Sequence, residues 1–353
     1  MSSVSAANGY LNFRYILIFL GLPLLLSGQP LWGGLSILVS LIFTCTNNNS
    51  SELHVRLNNI SPEEILAELQ ELLGNANDGI RIKHFVLGLS ILGRKYNESN
   101  HKEKLSLSCQ QLGFELIRRY PRSTSLLASS ISLLALVAND TRVRKRYKHD
   151  AEHYDLGLII TVLKITLERA KEEKDETKEE VMAETLRKGC LFIGAVCNDG
   201  EDLGLSSIIL SEGGLELILE AADWYRFHED VANWALWAIF TLSFNNLPAK
   251  AQLIRSQGIQ VTLTLMENNP TCKEVIRHGI AILFDLLREN DDDDGGIAWN
   301  PWEVRKIAVV SGIQHRVFCA MTDFSDTKDI IMMGQEILIG TGYRGDIPKL
   351  NEL

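Results

Sequence analysis

Residues able to do catalytic chemistry are present in the chain, but their spacing forms no catalytic motif. The sequence has no glycine-rich phosphate loop with a lysine, no paired-histidine zinc motif and no serine between glycines after a strand. The six cysteines stand singly in apolar segments, and the nearest pair, Cys190 and Cys197, is too widely spaced for a zinc knuckle. We expect a non-enzymatic protein without catalytic residue, metal, cofactor or small-molecule substrate, whose thiols are buried in a reducing compartment.

Charged residues concentrate in three short segments. The basic cluster consists of Arg142, Arg144, Lys145, Arg146 and Lys148, followed by His149. Close to a bilayer it could face anionic headgroups, at about 1 kcal/mol per basic residue; a solvated loop between helices is the alternative. The mixed run 171–180 predicts a solvated loop or an extended helix end. The acidic run 291–294 lacks the spaced ligands and closing glutamate of a calcium loop and predicts a flexible loop.

The overall charge balance excludes one class of partner. Asp and Glu outnumber Lys and Arg, and the formal net charge is -10. Nucleic-acid binding needs a basic surface that displaces counterions from phosphates. We therefore expect no nucleic-acid partner, and expect a protein or membrane partner instead.

The elements that would position binding residues repeat along the chain. Gly214 opens an apolar run over residues 215–222, and Gly258, which lies 44 positions later, opens a second run over 259–266. Each run is followed by a polar break and a longer apolar helix, at 231–243 and 275–287. A period of this size made only of helices predicts an armadillo or HEAT type of solenoid.

Further copies lie on either side of the two clear ones. Gly189 precedes Ala235 by 46 positions, and Ala235 precedes Gly279 by 44, so the helix around 187–198 matches the closing helices. We expect these small residues to allow close approach of neighbouring helices where repeats stack. A fourth copy begins at Gly312, 54 positions after Gly258, and closes with a helix over 330–340. The offset is longer than 44 because the acidic run 291–294 lies in an insertion between these two copies. Insertions in solenoids fall in loops.

The region before residue 184 is also predicted to be helical. Ser61 and Pro62 start a helix with a cap, a proline in its first turn and acids after it. Further helices are predicted at about 79–95, 102–119, 123–138 and 155–171. Sustained alternation of apolar and polar residues is absent, so the fold class is all-α.

The N-terminal segment 15–46 contains no charged residue and predicts a membrane anchor. As one helix it would be about 48 Å long, against a hydrocarbon core of about 30 Å. Breaks at Pro23, at 27–30 and at 33–34 suit a hairpin, and a single tilted span is the alternative. A secretory signal peptide and a buried core helix also remain open. The predicted organisation is a polar leader (1–14), the anchor, a linker (47–60), a repeat domain (61–343) and a tail (344–353).

The repeated phrases resemble the armadillo repeat family. The matching segments are 212–214, 257–259 and 311–313 at the start of the apolar runs, and 233–239 in the following helix. The resemblance is clearest over 184–343. It implies a right-handed superhelix of three-helix repeats, whose third helices line a concave groove for extended segments of other proteins. Nuclear-import adaptors of this family carry a tryptophan and asparagine ladder there; Trp237 stands at the tryptophan position, but Thr241 replaces the asparagine, so cargo import is not expected.

Equivalent positions on these third helices predict a partner site. The candidates are Arg187, Asn233, Trp237 and Arg277. Arginine and aromatic residues are the usual anchors of protein interfaces. Core packing is the alternative role for Trp234 and Trp237, because both lie on an apolar helix.

The functional expectation is a membrane-anchored armadillo-type scaffold that binds a protein partner. The solenoid would lie at the cytosolic face of the endoplasmic reticulum or the mitochondrial outer membrane. The alternative is an armadillo-type nucleotide exchange factor of a heat-shock ATPase in the endoplasmic reticulum lumen. The C-terminal residues 350–353 are close to the retrieval tail of that compartment, but with leucine where lysine or a similar residue is expected.

Overall fold

A computed structural model describes residues 53–74, 81–99, 102–150, 154–198, 203–288 and 301–348. All regular secondary structure within these ranges is helical, which confirms the predicted all-α class. The chain divides into two units, Met1–Ile60 and Ser61–Leu353. Residues 53–59 of the first unit are helical. The predicted anchor at 15–46 and the acidic run at 291–294 lie outside the described residues.

The second unit contains the helices that concern the site. In chain order they are α1 (Pro62–Gly74), α2 (Arg81–Glu98), α3 (Lys102–Arg119), α4 (Thr124–Val137), α5 (Thr141–His149), α6 (Leu156–Glu172), α7 (Glu176–Cys197), α8 (Leu203–Ser211), α9 (Gly214–Trp224), α10 (Glu229–Ser243), α11 (Leu247–Arg255), α12 (Gly258–Asn268), α13 (Lys273–Leu287), α14 (Pro301–Val310), α15 (Ile313–Asp323) and α16 (Lys328–Gly340).

Helix starts are set by capping side chains. At α1 the Ser61 backbone N–H donates to Glu64 Oε2 at 2.7 Å, and the Glu64 N–H donates to Ser61 Oγ at 3.2 Å, which forms a capping box. Asp175 caps α7 by accepting the Thr177 N–H at 3.1 Å. Only 173–175 of the charged run 171–180 is therefore non-helical, so the extended-helix-end interpretation describes most of it.

The last nine helices form three triplets in which a short helix is followed by a medium and a long one. A residue with positive φ separates the first two helices of each triplet: Gly213 (75°), Gln257 (60°) and Gly312 (86°). Left-handed backbone favours glycine, which explains two of these three positions. The structure aligns Gly312 with Gln257, so the third copy is offset by 55 positions and the predicted offset of 54 from Gly258 was wrong by one.

Successive triplets pack through equivalent helices. The long helices α7, α10, α13 and α16 contact one another in chain order, and α4 precedes them by packing on α7. The medium helices α6, α9, α12 and α15 form a second file in the same way. Each long helix also packs on the medium helix of its own group.

The small residues of the closing helices lie between the two files. A Cβ added at Gly189 would meet Leu163 of α6, and one added at Gly279 would meet Met266 of α12. Close approach therefore occurs within a group of helices, and the prediction that these residues lie where repeats stack was wrong. Gly194 is different, because an added Cβ would meet the Trp237 ring of the next long helix.

Three of the described cysteines confirm the expectation of buried thiols. Cys109, Cys190 and Cys197 are buried, and loss of solvation raises the pKa of each to about 12. Cys272 and Cys319 are partly exposed. These pKa values keep the three buried thiols protonated and unreactive at neutral pH.

Among the described helices, none is by itself long and apolar enough to cross a membrane. Helices α4 and α5 reach that length and apolar content only as a pair, which is bent by 112°.

Candidate functional site

A cavity of about 960 Å³ crosses four helices, α2, α4, α7 and α10. We call it the groove. Its floor is α4, which lines it mostly with small side chains, Ser125, Ala128, Ser129, Ser132 and Ala135, together with Leu133 and Leu136. Larger side chains on the flanking helices form its walls, with Leu89 on α2 and Leu191 on α7. Small side chains predominate on this face of α4, which leaves space between its neighbours.

Three of the four helices line the groove in the same register. Ser90 on α2, Ser132 on α4 and Leu191 on α7 are each followed seven residues later by an asparagine that also lines the groove. Seven residues are about two helical turns, so the second residue lies on the same face as the first. The three asparagines are Asn97, Asn139 and Asn198.

This asparagine row lies at the ends of three helices, and all three side chains are exposed. A carboxamide offers an acceptor oxygen and two N–H donors, which match the carbonyl and N–H groups of a polypeptide backbone. Sequence reasoning missed the row because it tested the position four residues after Trp237, where Thr241 stands. The available signal was an asparagine directly after the last apolar turn of α4 and of α7.

Two tryptophans close the α10 end of the groove. The rings of Trp234 and Trp237 are 5.5 Å apart and nearly perpendicular, at 88°. Both line the groove and both are half-buried. Because the Trp237 ring also lies over Gly194, Trp237 contributes to packing between α7 and α10 while one part of it remains accessible. The packing interpretation of Trp237 therefore describes the part of the ring over Gly194, and its binding role stays a prediction.

An ion cluster on α7 forms the wall beside the tryptophans. Arg187 Nε and Nη2 donate to Glu184 at 2.5 and 2.6 Å, and Lys188 Nζ lies 3.7 Å from the same carboxylate. Burial acts to raise the pKa of Glu184, but hydrogen bonds and charge from Arg187 outweigh it, so the pKa is lowered. Burial and the adjacent Arg187 charge lower the pKa of Lys188. Glu184 and Lys188 line the groove, whereas Arg187 holds Glu184 in place.

The four predicted partner-site residues have different surroundings in the structure. Trp237 alone of the four lines the groove. Asn233 Oδ1 lies 3.1 Å from His278 Nδ1, on the α13 side of α10, and Arg277 Nε lies 3.9 Å from Asp329. The groove face of α7 and α10 passes through Lys188 and Trp234. The predicted positions 187 and 233 are therefore one residue before that face.

The basic cluster is helical, so the loop alternative for it was wrong. Asp140 caps α5 by accepting the Arg142 N–H at 2.9 Å, and Arg142 Nη2 donates to the same carboxylate at 2.6 Å. Hydrogen bonds from Arg142 lower the Asp140 pKa to about 2. Arg144 donates to the Ala138 carbonyl, and Arg146 donates to Tyr154 Oη at 3.0 Å. Lys145 and Lys148 are exposed, and a membrane-facing role for the cluster stays a prediction.

In the described part of the chain no group of three or more His, Cys, Asp or Glu side chains could hold a metal ion. Comparison with known protein families, curated protein sequences and solved structures found no match to this chain.

Proposed function

We propose that this protein is a membrane-anchored armadillo-type scaffold, without chemistry of its own, whose groove binds an extended segment of a protein partner. The observation that carries the proposal is the groove itself, which four helices line, three of them in one register. Residues 61–343 would form a right-handed α-solenoid. The ordered triplets and the two files of equivalent helices support that architecture.

The composition of the lining favours a polypeptide ligand. A small-molecule pocket is enclosed and mostly apolar, with a few polar groups that fix one orientation. Here an asparagine recurs on three successive helices along the groove, as Asn97, Asn139 and Asn198, beside a floor of mostly small side chains. A ligand that presents a polar backbone at regular intervals satisfies such a row. An extended protein segment has this property.

The membrane part of the proposal rests on the charge-free segment 15–46. A hairpin or a single span over these residues would hold the repeat domain at a membrane surface. The basic cluster on α5 supplies exposed Lys145 and Lys148, which would favour an anionic leaflet. The scaffold would then present its groove to cytosolic partners.

Site-specific photo-crosslinking in cells tests the groove. A photoreactive phenylalanine analogue replaces Leu191, which lines the groove, and in a matched protein it replaces Ile165 on α6, which is half-exposed and does not line it. We expect crosslinks from position 191 to map to one segment of a partner chain, and no such segment from position 165. Trp237→Ala should weaken the crosslink, since removal of an interface anchor costs about 2 kcal/mol or more, roughly 30-fold in affinity.

The matched control for that substitution is Trp302→Ala, because Trp302 lies on α14 away from the groove and is 66% exposed. Equal crosslinking from positions 191 and 165, or equal effects of the two tryptophan substitutions, would contradict a groove-binding function. Circular dichroism of both variants separates loss of binding from loss of fold.

Membrane topology has its own test. Asn97 and Asn139 both fit the N-glycosylation pattern and both lie in the groove. A cytosolic repeat domain would resist carbonate extraction, be digested by external protease and carry no glycan. A glycosylated, protease-protected product would place the domain in the lumen and remove the cytosolic scaffold.

A further inference from the structure

The spacing of the groove helices sets a length scale for whatever binds across them. Helices in contact pack with their axes about 8 to 10 Å apart. The asparagine row therefore offers one carboxamide about every 8 to 10 Å along α2, α4 and α7, which pack successively. A ligand that uses every asparagine in the same way must repeat its own geometry at that interval.

A polyproline II segment has this repeat. It has three residues per turn and rises about 3.1 Å per residue, so the same side recurs about every 9.3 Å. A β-strand covers a similar distance in three residues, but its side chains alternate, so residues three apart point to opposite faces. An α-helix satisfies its own backbone groups internally and would leave the asparagines unused. We infer that the groove selects a proline-rich partner segment in the polyproline II conformation, with every third residue facing the asparagine row. This inference rests on the proposed scaffold function.

The backbone chemistry of such a segment fits the row. Polyproline II makes no internal hydrogen bonds, so its carbonyl groups remain free to accept. Proline has no N–H, so the ligand needs donors from the protein. The carboxamide N–H groups of Asn97, Asn139 and Asn198 supply them.

The α10 end of the groove suits a proline ring. Aromatic-lined grooves are the usual docking surfaces for proline-rich segments, because the pre-formed ligand loses little entropy on binding. The perpendicular pair Trp234 and Trp237, 5.5 Å apart, provides such a surface. No equivalent pair exists on the matching face of α13, where His278 and Ala281 occupy these positions.

Charge complementarity also favours an uncharged segment. The charged residues that line the groove are Arg94, Lys188, Glu180 and Glu184, which is two of each sign. Glu184 is bound by Arg187 and lies close to Lys188. A strongly acidic or basic segment would gain one favourable pair and face a like charge beside it, whereas proline-rich sequence meets no such conflict.

Peptide selection tests the inference directly. A phage library of short random peptides is selected on the full-length protein in detergent, and enriched peptides are synthesised with a permuted version of the same composition. We expect prolines at three-residue spacing, and about tenfold tighter binding than the permuted peptide, which corresponds to about 1.4 kcal/mol. Fluorescence anisotropy measures both, and a polyproline II signal in circular dichroism should accompany the tighter peptide.

Variants separate this inference from the proposed function. Asn139→Ala and Trp237→Phe should each weaken the enriched peptide, whereas Asn268→Ala at the end of α12 should not. Groove-dependent peptides without the three-residue proline period, or permuted peptides that bind equally well, would overturn the inference and leave the proposed function standing. Enriched peptides that ignore both groove substitutions would overturn the proposed function as well.

Discussion

The long helices at the groove and those at the C-terminal end pack in the same way, but they carry different residues at one equivalent position. Ala195 on α7, Thr241 on α10 and Asp285 on α13 are equivalent residues. Ala195 leaves space and lines the groove. Asp285 is instead paired with Lys250 of α11, whose Nζ lies 2.8 Å from Asp285 Oδ1. At this position the file of helices has an open surface at α7, the open end, and an ion pair at α13, the filled end.

The filled end is held by a buried ion pair. The side chains of Lys250 and Asp285 are 2% and 13% exposed, and Lys250 also donates to the Asp285 carbonyl at 3.2 Å. Burial raises the pKa of Asp285, and the hydrogen bond and charge of Lys250 offset this only in part. Such pairs add little net stability compared with apolar residues, but removal of one partner leaves an uncompensated charge. We therefore expect substitutions at the filled end to change the free energy of unfolding, and substitutions in the groove to change binding.

The largest effect should come from Lys250→Met. The Asp285 carboxylate would remain buried without its cation, and we expect a loss of about 3 to 5 kcal/mol in the free energy of unfolding. Urea denaturation followed by circular dichroism measures it. Peptide binding in the groove should be unchanged at a temperature where the variant is folded.

The double variant Lys250→Met with Asp285→Leu controls this experiment, since it removes both charges and should recover most of the stability. A single variant as stable as the wild type would contradict the filled-end assignment. So would a double variant as unstable as the single one.

Gly194→Ala should separate packing from binding inside the groove. The added Cβ would meet the Trp237 ring, which must then move outward. Tryptophan fluorescence should therefore shift. Peptide affinity should fall by about 1 to 2 kcal/mol, which is the usual cost of overpacking. Gly279→Ala is the control, because its Cβ meets the flexible Met266 side chain and α13 does not line the groove. Equal binding by the two variants would show that the Trp237 position is not used.

Helix boundaries were predictable where apolar spacing and caps agree. The predicted helix over 102–119 matches α3, and the predicted ends at Ser243 and Leu287 match α10 and α13. The short helices α8, α11 and α14 were missed, because nine or ten residues give too few turns to show periodicity. The predicted offset of 54 between Gly258 and Gly312 was wrong because these two glycines are not equivalent. The residue equivalent to Gly312 is Gln257, which adopts the left-handed conformation that glycine adopts at 213 and 312.

The groove was only partly predictable because residue spacing does not give side-chain direction. Trp237 was identified, whereas Arg187 and Asn233 stand one residue before the groove face. A shift of one residue rotates a side chain by about 100° around a helix, enough to move it from one surface to another. The small side chains of α4 gave no sequence signal, because they act by leaving space.

His278 offers a pH test of the boundary between the two regions. It is the residue of α13 that is equivalent to Trp234 of α10, and its neighbours are Arg277, Glu274 and Asn233 Oδ1. Burial and the charge of Arg277 lower the pKa of His278. The unfolded chain therefore binds more protons just below the ordinary histidine pKa of about 6.5, and stability should fall as the pH drops through that value.

Chemical denaturation across this pH range should show a slope of at most about 1.4 kcal/mol per pH unit from this one proton. His278→Gln should flatten that part of the profile. An unchanged profile in the variant would assign the slope to other groups, and peptide binding should be the same in both proteins.

The smallest effect should come from Arg277→Ala. Arg277 was a candidate binding residue, but its Nε lies 3.9 Å from Asp329 and both side chains are well exposed, at 40% and 48%. Exposed pairs contribute about 0 to 1 kcal/mol, so the free energy of unfolding should change by no more than that. Peptide affinity should be unchanged, in contrast to Trp237→Ala. A large loss of binding on Arg277→Ala would extend the binding surface onto α13 and erase the distinction between the open and filled ends.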